Sequence, residues 1–523
     1  MPKKWDVIVI GAGVGGLTAA ATLVKTGLQV LVLEKSLHPG GTAYTYSRTG
    51  FTFPMGPLGF STPGLVRDTL ADLGQDHDLH FHRVHYKVLA FGVSVVLSLP
   101  FDQVKAEMTQ CFPADSKGLK QFFHDMDKIL SAMGSDKETH RSFLEEAGEK
   151  SANEYLRGLI TDQRLRRILG SLGTRDAYTS LPLLAAQWNL MCNQGIWYPK
   201  GGMRSFCQRL ARAVTSNSTG NPGRGEIRLG AGVKEIRVLD GRASGVTLGD
   251  GTGIDARGVI SNADYKTTFM KLVKAEGTPD SWYRAIANAK QSGSIFQVCL
   301  GVEATGVDLS AFSDASRLIY RRHTSGVAQR EDVPDWQSAE VNPEAIAGQD
   351  MEVSLWSHAD PGLAPEGGVV IVIRAEADHA HFSRYRPAEG QRNGAYQDYK
   401  MRLGRALIQE TASLLPGLEG AVVVMDVATP LTFEERGGRS QGAVAGWSWD
   451  YKDNPSHEPL ELVQTPIHGL YMAGYQAYSA LFMGGLPMAM ASGRAATEAF
   501  LQGTGPVHEV RIPGAVGPDI SVN

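Results

Sequence analysis

"VIVIGAGVGGLTAAATLVKTGLQVLVLEKS", residues 7–36, is the stretch on which the fold turns. Its first four residues form a continuous apolar run, as in a parallel strand buried on both faces. Glycines follow at 11, 13, 15 and 16, and Leu17, Ala21 and Val24 recur at helical spacing until Gly27 stops the helix. Residues 30–33 are a second apolar run closing on Glu34, which completes a βαβ unit. Gly11 permits the tight turn, Gly13 lets a pyrophosphate approach the backbone with Gly15 in the same turn, and Gly16 lets helix pack on strand. The helix start adds unpaired N–H groups and partial positive charge for the phosphates. Glu34, with Lys35 beside it, stands where an acid accepts hydrogen bonds from a ribose, and its charge argues against the 2′-phosphate of NADP. A glycine turn closing an ordinary α/β unit is the bland reading, and the full context of strand, helix, strand and acid disfavours it. No second such unit occurs, so one dinucleotide is expected, and these residues alone leave FAD and NAD open.

The chain of 523 residues is too long for one simple core. With 51 basic and 55 acidic residues it has no electrostatic footprint for nucleic acid, which is not an expected partner. Its four cysteines, Cys111, Cys192, Cys207 and Cys299, lack a C-x-x-C pair, so neither a disulfide framework nor a zinc site is indicated and a reducing cytoplasm fits best. MPKKWDVIVIGAG reads as a mature start without signal-peptide features. The uncharged stretch 469–493 is long enough to span a bilayer, but its glycines, Pro487 and tyrosines make it a buried strand, loop and helix start.

Elsewhere the patterning predicts helices at 65–74, 117–134, 151–170, 393–415 and 486–501, a glycine loop feeding a helix within 196–214, and a strand pair in 88–99. A β-meander over 226–260 is indicated by Asp-Gly turns at Asp240 and Asp250, with further strands at 294–302, 351–357 and 368–376. The Pro- and Gly-containing residues 504–523 read as a flexible tail.

The residues after Glu34 narrow the cofactor. "EKSLHPGGTAYTY", with the glycine pair Gly40 and Gly41 and then Thr42, resembles the extended FAD-binding signature of glutathione-reductase-type flavoproteins. "YPKGGMRSFCQRL" (198–210), "GVISNADYKTTF" (258–269), "TPLTFEERGG" (429–438) and "GLYMAGYQAYSALFMGGLPMAMASGRAA" (469–496) resemble, in order, segments of the phytoene desaturase, carotenoid cis-trans isomerase and retinol saturase group. That resemblance implies an α/β fold with a Rossmann-type FAD domain assembled from 1–80, 196–285 and 420–503. An inserted α+β substrate domain would come from 81–195 and 286–419. It also implies an apolar tunnel ending at the flavin, with the Val233 backbone meeting the adenine. Gly474, Gly485, Leu486 and Pro487 would shape the flavin end, where Pro487 is acceptable in a first helical turn. Two departures stand out: many relatives carry Arg where this chain has Thr42, and Gly-Asp where it has Gly474 and Tyr475.

The implied activity is flavin N5 hydride transfer to or from an apolar polyene or isoprenoid lipid, as desaturase, saturase or cis-trans isomerase. An external electron donor or acceptor would be needed for net redox chemistry, and peripheral membrane contact would serve such a substrate. Candidate catalytic groups are Glu434, Tyr475 and Tyr478, against the plainer readings of a solvated charged turn and core aromatics. His77, His80, His82 and His85 look like a metal cluster but lack matching carboxylates, so no metal is assigned. Asp378, His379 and His381 form a smaller group, and Arg48 fits a surface turn. The apolar stretches 181–191 and 481–490 fit either a tunnel lining or ordinary core. The alternatives are a flavin amine oxidase, which needs an amine-binding aromatic cage, and a non-catalytic lipid or prenyl-protein carrier of the Rab GDP-dissociation-inhibitor type.

Overall fold

The apolar run at the N-terminus becomes the middle of a seven-stranded sheet. The computed structural model describes residues 5–56, 59–134, 138–216, 223–273, 278–322, 334–386, 394–450, 453, 460–479, 485–503 and 505. Trp5–Ile10 pairs in parallel with Gln29–Leu33 on one side and Gly253–Ser261 on the other. Arg224–Arg228 extends this sheet beside Gln29–Leu33, and Leu470–Met472 joins it beside Gly253–Ser261, both in parallel. Burial on both faces explains the unbroken apolar sequence of Val7, Ile8 and Val9, all fully buried. The meander is Val233–Leu239, Arg242–Leu248 and the first residues of Gly253–Ser261, whose last residues serve the parallel sheet.

Helix Val14–Lys25 packs against the sheet and against the last helix, Gly485–Gln502. A Cβ on Gly16 would lie 2.2 Å from the Gly11 carbonyl oxygen, and one on Gly493 would lie 2.4 Å from that of Gly15, so both contacts demand glycine. Strand, glycine loop and both helices therefore meet at backbone-to-backbone range.

A second seven-stranded sheet runs Val422–Ala428, Ser294–Glu303, Gly368–Ala377, Met351–Leu355, Arg317–Tyr320, Tyr86–Ala90, Val93–Val96. Its pairings are antiparallel except between Arg317–Tyr320 and Tyr86–Ala90. Phe296, Val298, Leu300 and Val302 alternate onto one face, where helix Gly394–Leu414 covers them with Tyr396, Tyr399, Leu403 and Leu407. The strand Val422–Ala428, just beyond residue 420, pairs with Ser294–Glu303 of this second sheet.

A third core holds the helices between residues 101 and 189. The single helix expected over 151–170 is two, Ala152–Leu159 and Gln163–Ser171. Buried Asp115 explains the break: its carboxylate accepts the N–H groups of Thr161 and Asp162 at 2.7 and 2.9 Å, and Asp162 then caps the second helix. Residues 181–189 are ordinary core, with Trp188 edge-on to Phe122 and Phe123, rather than a tunnel lining. Of 481–490, residues 481–484 lie outside the described set, as do Thr504 and the tail 506–523. Among the described residues no helix is long and apolar enough to cross a membrane.

Candidate functional site

Gly11, Glu34, Asn262 and Gly474 each follow the carboxyl end of a parallel strand of the first sheet. That edge is where open α/β sheets bind ligands. It opens into a cavity of about 1450 Å³ whose wall includes Gly11, Gly13, Gly15, Glu34, Lys35 and Val233 at one end. Gly40, Gly41, Thr42, Gly474, Tyr475, Gly485 and Leu486 also line it. Single small-molecule sites usually hold roughly 300–1,000 Å³. This volume suits a dinucleotide and a second molecule.

The glycine loop fits an anion. Its helix begins after Gly13 with no side-chain cap, so the first-turn N–H groups are left for an incoming ligand. Gly40 donates its N–H to the Ala12 carbonyl at 2.7 Å, and a Cβ on Gly41 would come within 3.2 Å of the Gly13 Cα, so the second glycine pair is packed against the first loop. Glu34 is buried, and its carboxylate accepts the Ala12 N–H at 2.7 Å and the Ser36 N–H at 2.8 Å. It thus holds the loop from the side while facing the cavity, where further lone pairs suit ribose hydroxyls. Gly16 and Pro487 are off the wall; Gly16 serves the helix contact, and Pro487 lies buried in the first turn of its helix.

Sequence reading missed three residues here. Asn262 donates its N–H to the Ile10 carbonyl, and its amide packs so closely under the loop that a Cβ on Gly13 or Gly15 would lie 2.7 Å from it. Asp264 caps the next turn and accepts the Ser440 N–H at 2.6 Å, joining the SNAD segment to the 439–440 turn. Arg439 donates to the Thr42 hydroxyl at 2.7 Å and to the Val444 carbonyl at 2.7 Å, and its guanidinium lies 4.8 Å from the Tyr475 ring centre. A guanidinium therefore stands beside Thr42, supplied from another part of the chain. The polar residues after the strand ending at Ser261 were the available signal for Asn262 and Asp264; nothing local marks Arg439.

Tyr475 lies on the cavity wall with its hydroxyl buried and unpartnered among the described residues. Burial pushes the phenol up to about 12, against the pull of Arg439, so it keeps its proton at neutral pH. Glu434 is also on the wall, bonded by His379 Nε2 at 2.7 Å and by Arg386. The His379 hydrogen bond, ahead of Arg386, holds its carboxyl below the usual glutamate range. Tyr478 is not on the wall; it sits in Tyr478–Ser479, paired with Leu460–Glu461.

The remaining candidates disperse. His381 is buried, bonding Tyr399 and the Trp336 carbonyl, whereas Asp378 caps its helix. Arg48 is exposed over Tyr46. His82 and His85 meet His358 in a second cavity of about 720 Å³. Among the described residues no three His, Cys, Asp or Glu side chains converge as metal ligands.

A family model described as flavin containing amine oxidoreductase matches residues 14–373, more than half of the chain. The chloroplastic prolycopene isomerase of Daucus carota is 28% identical over 518 residues, covering 90% of this chain and 76% of its own length. A phytoene desaturase (neurosporene-forming) of Rhodobacter capsulatus is 26% identical, covering 93% of this chain and 92% of its own. An inactive all-trans-retinol 13,14-reductase of Danio rerio is 25% identical, with 93% and 84% covered. Among solved structures, cyclohexylamine oxidase from Brevibacterium oxydans superposes with TM-score 0.59 at 16% identity, covering 96% of this chain and 99% of its own. A putrescine oxidase superposes with TM-score 0.58 at 16% identity, covering 96% of this chain and 100% of its own. At such identity these two speak for the fold.

Proposed function

Since the chain belongs to the flavin containing amine oxidoreductase family and is an FAD-dependent oxidoreductase, we propose that its substrate is an apolar polyene or isoprenoid lipid. It acts as a desaturase, saturase or cis-trans isomerase. The observation that carries this reading is the single cavity that continues past the dinucleotide strip to the second sheet, with Leu172, Ile295, Ile319 and Met351 among its lining. The named relatives, which share most of their length with this chain, support the same substrate class.

When bound, FAD supplies a hydride acceptor or donor at its N5. Gly11, Gly13, Gly15, Glu34, Gly40 and Gly41 are proposed to hold its adenosine diphosphate half. Gly474, Gly485 and Leu486 are proposed to flank the flavin end, where the helix start at Gly485 favours negative charge. Segments 5–80, 196–285 and 430–503 are proposed to make the cofactor domain, and the second sheet with its helices the substrate domain. Tyr475 is proposed to hold a proton at its hydroxyl for the reacting carbon, since it is a buried acid with no other partner among the described residues. Glu434 is proposed to stay ionised and fix His379 and Arg386 at the cavity rim.

The amine oxidase reading is disfavoured by Arg439. A guanidinium already lies 4.8 Å from the Tyr475 ring centre, and like charge repels an ammonium there. The test is product analysis of FAD-loaded protein given polyenes or primary amines. New or lost conjugated double bonds, or a changed cis-trans ratio, are expected with polyenes alone; aldehyde and peroxide from amines would reverse the assignment.

A further inference from the structure

The far wall of the cavity is charged. It is formed by residues 171–176, by Ile319 and Arg321, by 349–352 and by 374–376, with Arg167 behind. Four arginines stand there against four acids. Two are directly ion-paired: Arg167 Nε lies 3.3 Å from Asp176, and Arg175 Nη1 lies 2.7 Å from Glu376. The other two arginines make their direct hydrogen bonds to neutral groups, while Asp350 attracts Arg321 and Glu352 attracts Arg374 from nearby. Arg321 is only 7% exposed, and its Nη1 donates to the Thr174 hydroxyl at 3.1 Å. Among the described residues no carboxylate lies within ion-pairing distance of Arg321. Arg374 donates Nε to the Gln297 amide oxygen at 2.8 Å and Nη2 to the Gly56 carbonyl. The nearby acids make their hydrogen bonds to neutral groups: Asp350 accepts both the Thr174 N–H, at 3.0 Å, and its hydroxyl, and Glu352 accepts the Ser354 hydroxyl at 3.0 Å.

A hydrocarbon end pressed against this wall would leave guanidinium N–H groups desolvated and without acceptors, which is unfavourable. A planar carboxylate matches the guanidinium fork. Resting on the polyene reading above, we propose that the far wall binds the carboxylate of a polyene or isoprenoid acid, with Arg321 as its partner. The chain of the acid then runs past Leu172, Ile319, Met351 and Ala375 toward the flavin end. A single carboxylate asks less of this balanced wall than a diphosphate, whose several charges would go further uncompensated.

The experiment titrates FAD-loaded protein, followed by flavin and tryptophan fluorescence, with all-trans-retinoic acid, all-trans-retinol, lycopene and geranylgeranyl diphosphate. The acid is expected to bind at least about tenfold more tightly than the alcohol, the range of a charge-assisted hydrogen bond. Arg321→Gln is expected to abolish that preference while leaving retinol within about threefold, and Arg321→Lys to restore part of it. Equal affinity for acid and alcohol in the unaltered protein overturns the carboxylate site but spares the polyene reading. So does a preference for the diphosphate, or one that survives Arg321→Gln. Failure of all four ligands to bind overturns the polyene reading itself.

Discussion

At the scale of single residues, the site depends on groups that do structural and binding work with the same atoms. Glu34 ties down the Ala12 and Ser36 N–H groups while it lines the cavity. Glu34→Gln removes the charge from both hydrogen bonds and turns half of the acceptor into a donor. FAD affinity is expected to fall about tenfold to a hundredfold, measured by fluorescence titration of the apoprotein. Gly16→Ala forces a Cβ to 2.2 Å from the Gly11 carbonyl, between two backbones that cannot retreat. A loss of about 3 kcal/mol or more in urea unfolding is expected, at the upper end for overpacking. Tyr475→Phe keeps the ring under Arg439 and deletes only the hydroxyl. Turnover is expected to drop about 10²–10⁴-fold, the range for losing a general acid, with FAD affinity unchanged; an unaltered rate would remove Tyr475 from the chemistry.

At the scale of elements, two devices join distant segments. Glu434, at the end of helix Pro430–Glu435, bonds His379 at the start of His379–Ser383. Because its folded pKa is lowered, its stabilisation is present above the ordinary glutamate value and is lost as pH falls through the lowered one. Glu434→Gln is therefore expected to destabilise the protein at neutral pH and make no difference under strongly acid conditions, as read from unfolding curves at both. Asp115 is the second device. Its helix break inside 151–170 was invisible to periodicity because the apolar spacing continues across it, whereas the acid that captures the two freed N–H groups lies far back in the chain. By contrast, the βαβ unit, the hairpin Tyr86–Ala90 with Val93–Val96, and helix Gly394–Leu414 were legible. Each is decided by local pattern: turn glycines, two-residue loops, or long helical spacing.

At the scale of the whole molecule, the cofactor strip was readable because the glycines and Glu34 sit within one stretch of sequence. The far wall was not, since Thr174, Arg321, Asp350 and Arg374 meet only after four segments are brought together at the second sheet. No spacing in the sequence reports such a meeting. Arg439 beside Thr42 escaped for the same reason, being almost the length of the chain away. The cavity links these two regions, and its size gives the account its central claim: one chamber holds FAD and a polyene together. The most direct measurement mixes FAD-loaded protein with polyenes in the absence of oxygen and follows the visible flavin spectrum, using oxidised and prereduced protein in parallel. At least one polyene is expected to bleach the oxidised flavin, restore colour to the reduced one, or emerge with altered double-bond geometry. Flavin that stays unchanged toward every polyene but is bleached by an amine would contradict a shared chamber for FAD and a polyene.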